Sequence, residues 1–225
     1  MTQIHTRRDS PHSFIGTVWR TQNVEDGIYL ATPDGSWDLI VLIQKDGSKS
    51  MMVTGQATKP MNVPYQAGTS SVVISFAPGV YLPSLPGDSL VDSFIMLENS
   101  DTDHFLIDGY GFAFPTFENA ETLVERMAAI GLLAIDSVVQ SVQDGSPKAL
   151  SRRATQRHFS KSTGITQKDF EQIERAKEAI RELRRGKKAS AVAADMGFVD
   201  QSHLTKSLKK IMGVTPLDVG DVHKL

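Results

Sequence analysis

The sequence predicts an α+β chain of two modules, a mainly β barrel or sandwich followed by an all-α unit. Three observations predict this. Apolar residues recur in short β-rich runs up to about residue 114 and at helical spacing beyond it. Turn signals such as "PDGS", "KDGS", "AGTSS" and "SLPGD" punctuate the first part. The charge divides as well: residues 1–145 carry 7 Lys and Arg against 17 Asp and Glu, a net −10, while residues 146–225 carry 17 against 9, a net +8. A chain of 225 residues has room for two ordinary domains.

In the first module the candidate strands are "SFIGTVW", "GIYLAT", "WDLIVLIQ", "SMMVTGQ", "SSVVISFAP" and "SFIML". "DLIVLIQKDGSKSMMVTG" reads as a hairpin, because "KDGS" joins two β-rich runs. Trp19, Tyr29, Trp37, Phe76, Tyr81 and Phe94 are candidates for the lining of an effector pocket, and the simpler reading makes them core.

The pattern changes near 116. In "TFENAETLVERMAAIG", Thr116 or Asn119 is a candidate cap, Leu123, Val124, Met127 and Ile130 follow at helical spacing, and Gly131 ends the run. Residues 116–136 are expected to be a helical linker or a self-association surface between a module at 1–115 and one at 137–225. "DSVVQSVQDG" supplies a further helix ending at Gly145. Ser151 caps "RRATQRHFSKST", which Gly164 ends. Thr166 caps a long helix with an apolar stripe of Phe170, Ile173, Ala176, Ala179, Ile180 and Leu183, and Gly186 terminates it. On its polar side Glu171 stands four residues before Arg175, and Glu178 three before Arg181.

"ASAVAADMGFVDQSHLTKSLKKIMG" has the spacing of a short helix, a sharp turn at Gly197 and a basic helix capped by Asp200. Ala193, Met196, Phe198, Leu204, Leu208 and Ile211 are expected to close its core. Gln201, Ser202, Thr205 and Lys206 are then candidates to meet base edges, since amide, hydroxyl and ammonium groups read the major groove. Lys187, Lys188, Lys209 and Lys210 suit phosphate. Residues 137–163 look like a companion unit. Arg153, Gln156 and Arg157 are its candidate base contacts and Arg152 and Lys161 its phosphate contacts, while Phe159 faces the core. The bland alternative is a pair of structural helices with a solvated basic face. A rigid connector between two units can place two recognition helices in successive major grooves, about 34 Å apart.

On these residues the segment 137–219 resembles the C-terminal domain of the AraC/XylS family of bacterial transcription regulators. The strongest match is "GKKASAVAADMGFVDQSHLTKSLKKIMGVTP", with its turn at Met196, Gly197 and Phe198 and its closing Gly213, Val214, Thr215 and Pro216. "LSRRATQRHFSKSTGIT" resembles the first unit through Ser151, Arg157, Phe159, Gly164 and Ile165. It departs from the family at Arg152, which replaces a frequent Pro, and at Thr155, which replaces a frequent aliphatic. The resemblance implies seven helices in a double helix-turn-helix, with Gln201, Ser202, His203, Thr205 and Lys206 carried over to base reading. It further implies binding to promoters in double-stranded DNA, contact with RNA polymerase, and an N-terminal module that binds a small-molecule effector or forms a homodimer. "PDGSWDLIVLI" and "ISFAPG" resemble a sensory domain found beside such units, for which a cupin-like barrel is one form.

The remaining observations exclude function classes. The chain has no cysteine, so disulfides, thiolate metal sites and thiol nucleophiles are out. His5, His12, His104, His158, His203 and His223 show no paired metal spacing, and no metal or other cofactor is expected. Asp88, Asp92, Asp101, Asp103 and Asp108 read as a solvated acidic face, and "GYGFAF" lacks a nucleotide-binding context. No enzymatic role is expected. The start lacks the apolar run of a signal peptide and no stretch is long enough to span a membrane, so a cytoplasmic regulator is the first reading. The competing readings are an interaction adaptor that keeps the helical fold, and a small-molecule binder with a nonspecific basic tail.

Overall fold

A computed structural model describes residues 2–219; His223 and the rest of the segment after 219 lie outside the described residues. The N-terminal β region contains β1 (Gln3–Asp9), β2 (Ile15–Asn23), β3 (Gly27–Ala31), β4 (Asp38–Ile43), β5 (Lys49–Thr54), β6 (Met61–Tyr65), β7 (Ser70–Phe76), β8 (Val80–Tyr81), β9 (Phe94–Met96), β10 (His104–Ile107) and β11 (Tyr110–Ala113). Six of them form one sheet in the order β1-β2-β7-β4-β5-β9, and every pairing is antiparallel. The hairpin expected around "KDGS" is β4–β5, with Val41 opposite Met51. β3 pairs with β6 and β10 with β11 in separate two-stranded ladders.

The sheet is open, with β1 and β9 at its ends. The β-rich expectation therefore holds, but no closed barrel forms through the ladders among the described residues. Closure would need the two end strands to pair, and Phe94 and Met96 on β9 instead stand half exposed, at 57% and 49%.

One face of the sheet carries the core. Ile15, Val18, Leu39, Val41, Met51, Val53, Val72 and Ile74 pack with Phe105 and Phe112. This period-2 alternation drives the sheet together, since each buried aliphatic side chain contributes about 1.5–3 kcal/mol. α1 (Ala120–Ala129) lays Leu123, Val124 and Met127 into the same core. The expected linker helix is thus packed onto the β module, anchored by Arg8 and Glu121 at 2.5 Å. Neither candidate cap bonds its first turn as expected: Asn119 occupies the cap position, but its side chain accepts from Thr116 N instead. β12 (Ala134–Ile135) then returns to pair with β8.

Five α-helices follow: α2 (Ser137–Gln143), α3 (Arg152–Ser162), α4 (Gln167–Arg184), α5 (Ala189–Asp195) and α6 (Gln201–Met212). With α1 they make six among the described residues, and the seven helices implied within 137–225 are not reached there. Pro216 and Leu217 sit in a turn where Thr215 and Asp218 bond each other, which uses the polar groups a further helix would need. Ser151, Thr166 and Asp200 each cap the helix they precede. The expected stripe of α4 is buried at Phe170, Ile173, Ala176, Ala179 and Ile180, with Leu183 partly covered. That stripe joins both helical pairs, because Val139 and Phe159 contact it from one side and Val192, Ala193, Phe198, Leu204 and Leu208 from the other. Met196 and Ile211 are only partly buried, and Met212, not expected in the core, is fully buried.

Candidate nucleic-acid interface

α6 owes its geometry to local chemistry. The Asp200 carboxylate accepts from His203 N at 2.7 Å, and Gly213 closes the other end at φ 75°, a conformation that favours glycine. Burying Leu204, Leu208 and Met212 turns the opposite side outward. Gln201, Ser202, His203, Lys206, Lys209 and Lys210 are exposed there. Thr205 is half-buried and donates to Gln201 O at 2.9 Å, which leaves its oxygen lone pairs as the remaining polar handle. His203 packs at the helix edge. Its ring meets Phe198 edge-on at 5.5 Å, and Nδ1 accepts from Val199 N at 3.2 Å.

α3 presents a second basic face. Arg152, Arg153, Arg157 and Lys161 are exposed, and Gln156 is half-buried with its amide donating to Ser160 Oγ at 3.2 Å. Thr155, at the position where an aliphatic was expected, stays half-buried by donating to Ser151 O at 3.3 Å. His158 Nδ1 lies 2.8 Å from Asp136 Oδ2, while Asp136 Oδ1 accepts from Val138 N and Val139 N. One buried carboxylate therefore starts α2 and holds α3. The sequence reading missed this pair. An Asp directly before "SVVQ" is a cap signal, but its histidine partner is 22 residues away.

The two groups of phosphate candidates differ in their surroundings. Lys188, Lys209 and Lys210 are exposed. Lys187 is held 2.5 Å from Asp195 and 3.3 Å from Glu182, and these pairs raise its pKa, the Asp195 bond first. Arg175 departs from its expected helical pair. Glu171 accepts from Gln167 at 2.7 Å, and the Arg175 guanidinium stands 4.6 Å from the Phe198 ring centre.

The six aromatic candidates of the β module do not share one chamber. Trp37 stacks on Phe76 at 3.9 Å and donates to Val80 O at 2.7 Å. Trp19 faces the side of β2 opposite core residue Val18, under Arg7. Tyr29 lies beside His5, and Phe94 is exposed. Trp37 and Tyr81 do line a common cavity where the modules meet, with Gln56, Leu90 and Thr163, but its volume is about 30 Å³. That holds a water molecule and no larger effector. The modules touch elsewhere too: Lys177 donates to Asp34 O at 2.8 Å, Lys161 lies 5.8 Å from the Tyr81 ring, and Leu30 and Val91 pack on the helical core.

Among the described residues no group of three or more His, Asp or Glu could hold a metal ion, and no helix is long and apolar enough to cross a membrane. Asp101 spends its carboxylate on Asp103 N and on the backbone and ring of His104, a local turn that fits a solvated acidic face.

Capped helices with outward basic faces on a common apolar core define a helix-turn-helix module. Residues 149–220 match the family described as "Helix-turn-helix domain". A search of curated proteins finds no match. Among solved structures the chain is similar to ToxT from Vibrio cholerae, with a TM-score of 0.43 at 9% identity over 99% of each chain. A structure of ToxT from V. cholerae strain SCE256 bound to an unsaturated fatty acid gives a TM-score of 0.43 at 10% identity, over 99% of this chain and 96% of that one. Likeness of this size fixes neither the fold of the β module nor a ligand for this chain.

Proposed function

We propose that the chain is a sequence-specific DNA-binding transcriptional regulator of the AraC/XylS type, controlled through its β module by a small molecule or by self-association into a homodimer. The observation that carries this reading is the outer face of α6, where Gln201, Ser202, Lys206 and Lys209 stand exposed on a helix fixed by its cap and three buried side chains. Gln amides and Lys ammonium groups discriminate base edges in a major groove, and Lys188, Lys209, Arg152 and Arg153 supply salt-dependent attraction to phosphate. The similarity of 149–220 to helix-turn-helix domains supports the same reading.

Control requires an effector to bind two arrangements of the modules with different affinity. The contacts of Lys177 with Asp34, Lys161 with Tyr81, and Leu30 and Val91 with the helical core give such an effector something to loosen or tighten. RNA polymerase is the natural further partner of a promoter-bound regulator, and the cytoplasm its place of work.

The test is selection from random duplexes with the full chain, followed by binding of the recovered site at several salt concentrations. Gln201→Ala or Lys206→Ala should weaken the selected site more than an unrelated duplex, by about 1–3 kcal/mol for a lost base contact. Equal loss on both duplexes removes base reading by α6, and recovery of no motif at all overturns the proposal.

A further inference from the structure

α4 and α6 enclose a second concave feature on the helical module, a groove of about 270 Å³. Gln172 and Arg175 line it from α4, and His203, Lys206, Ser207 and Lys210 from α6, over the ring of Phe198. No carboxylate lines it.

The charge balance here differs from the rest of α4. Lys177 pairs with Glu174 at 2.6 Å, Arg181 with Glu178 at 2.9 Å and Arg185 with Glu182 at 2.5 Å, so the basic residues toward the C-terminal end of the helix are largely neutralised. Arg175 is left out of that pattern because Gln167 takes Glu171. Among the described residues Arg175, Lys206 and Lys210 form no ion pair, so three cations converge on one groove without a counter-charge. Neutral donors complete the set. The Gln172 amide and Ser207 hydroxyl line the wall, and the bond from Val199 N to His203 Nδ1 leaves the ring hydrogen on Nε2.

An oxyanion answers all of these groups at once. A guanidinium fork matches two oxygens of a tetrahedral anion, and ammonium groups on the facing helix supply point charges. Three cations suit the double charge of a phosphate better than the single charge of a carboxylate. The volume is below that of a pocket for a drug-sized ligand, so it fits a phosphate or diphosphate group and not a whole large metabolite. The geometry of α6 separates this function from base reading. Lys206 and Lys210 are four residues apart and share the groove side, while Gln201, Thr205 and Lys209 form another row.

We propose that the α4–α6 groove is a phosphate-binding site. Its occupant is either a backbone phosphate of bound DNA or the phosphate of a free small molecule, which would compete with DNA for Lys206. Only the first source rests on the DNA-binding reading above.

The experiment uses the full chain and two arms. In the first, inorganic pyrophosphate is titrated calorimetrically at fixed ionic strength into wild type, Arg175→Gln/Lys210→Gln and Gln201→Ala. Site binding is expected to fall at least about tenfold in the double variant and to stay unchanged in Gln201→Ala. In the second, the salt dependence of duplex binding is compared. Loss of two phosphate contacts should reduce the slope of log K against log salt by about 1.8. Circular dichroism checks folding, and Lys206→Gln/Lys210→Gln, which leaves the Arg175–Phe198 contact intact, replaces the first variant if that one unfolds. A drop in pyrophosphate affinity supports the site with a free ligand, and a drop in slope supports it with DNA as the source. If wild type binds no duplex, the functional reading fails and the pyrophosphate arm alone decides the groove. Absence of both effects overturns the proposal.

Discussion

Gly87 and Gly164 meet backbone to backbone across the junction of the modules: a Cβ built on Gly87 would stand 2.5 Å from Gly164 N and 2.8 Å from the Thr163 carbonyl carbon. Gly87 precedes Leu90 in a single 3-10 turn of the β module, and Gly164 ends α3 at φ 77°. The recognition helix of the first unit is therefore seated directly on the β module. Gly87→Ala tests this cleanly, because the φ of Gly87 is not in the left-handed range and the cost comes from crowding alone. Destabilisation of about 1–3 kcal/mol is expected in urea unfolding. Gly111→Ala is the control, since its Cβ would meet only Leu106 Cδ2 at 3.8 Å, and it should change stability by less than about 1 kcal/mol. Equal effects of the two substitutions would remove the close approach as a constraint.

Asp136 carries two jobs that can be separated. Asp136→Ala removes the cap of α2 and the partner of His158, and should cost about 1–3 kcal/mol. His158→Ala removes only the second, from a ring that is 43% exposed, and should cost less than about 1 kcal/mol. A double-mutant cycle measured by denaturant unfolding should give a coupling of about 0.5–1 kcal/mol. Zero coupling would mean that the 2.8 Å contact does not persist in solution.

The Arg8–Glu121 pair gives a pH signature to the docking of α1. The Arg8 bond holds the Glu121 carboxyl down at about 2, from an ordinary 4.5. The folded chain thus binds this proton less readily than the unfolded chain does. The pair's contribution is complete above about pH 5 and fades as pH falls toward 2. With side-chain exposures of 27% and 20%, screening reduces it to about 1–2 kcal/mol. Urea unfolding of wild type and Glu121→Gln should differ by that amount at pH 7 and converge near pH 2. A gap independent of pH would assign the loss to packing.

Much of this architecture is legible in the sequence, for reasons that differ by element. β4, β5 and β7 announce themselves because Leu39, Val41, Met51, Val53, Val72 and Ile74 alternate with more exposed residues. β1 does not, since "QIHTRRD" is an edge strand whose order comes from its register with β2 and not from its own composition. β6 hides behind Pro64, which only a ladder with an open side tolerates. β10 and β11 were readable, because Asp108 and Gly109, both at positive φ, form a two-residue Asp-Gly turn between them. In the helical module the caps at Ser151, Thr166 and Asp200 act locally and so can be read locally. The charge state of the interface cannot. Arg175 exchanges a partner four residues away for a ring at 198, and Lys187 is neutralised by Asp195 across a turn. Both depend on how α4, α5 and α6 pack.

That packing divides the lysines expected to meet phosphate. Lys187 sits between Asp195 and Glu182, whereas Lys188 and Lys209 are exposed and form no ion pair among the described residues. A lysine that already has counter-charges releases few counterions when DNA arrives, because the protein has displaced them beforehand. Removing it also frees Asp195 to repel the duplex. Lys188→Ala and Lys209→Ala should each lower the salt slope of duplex binding by about 0.9, with similar losses on selected and unrelated sequences. Lys187→Ala should leave the slope nearly unchanged, weaken binding through the exposed carboxylate, and be rescued by adding Asp195→Asn. A Lys187→Ala slope change as large as that of Lys209→Ala would show that the ion pair opens on DNA and that the lysine contacts phosphate after all.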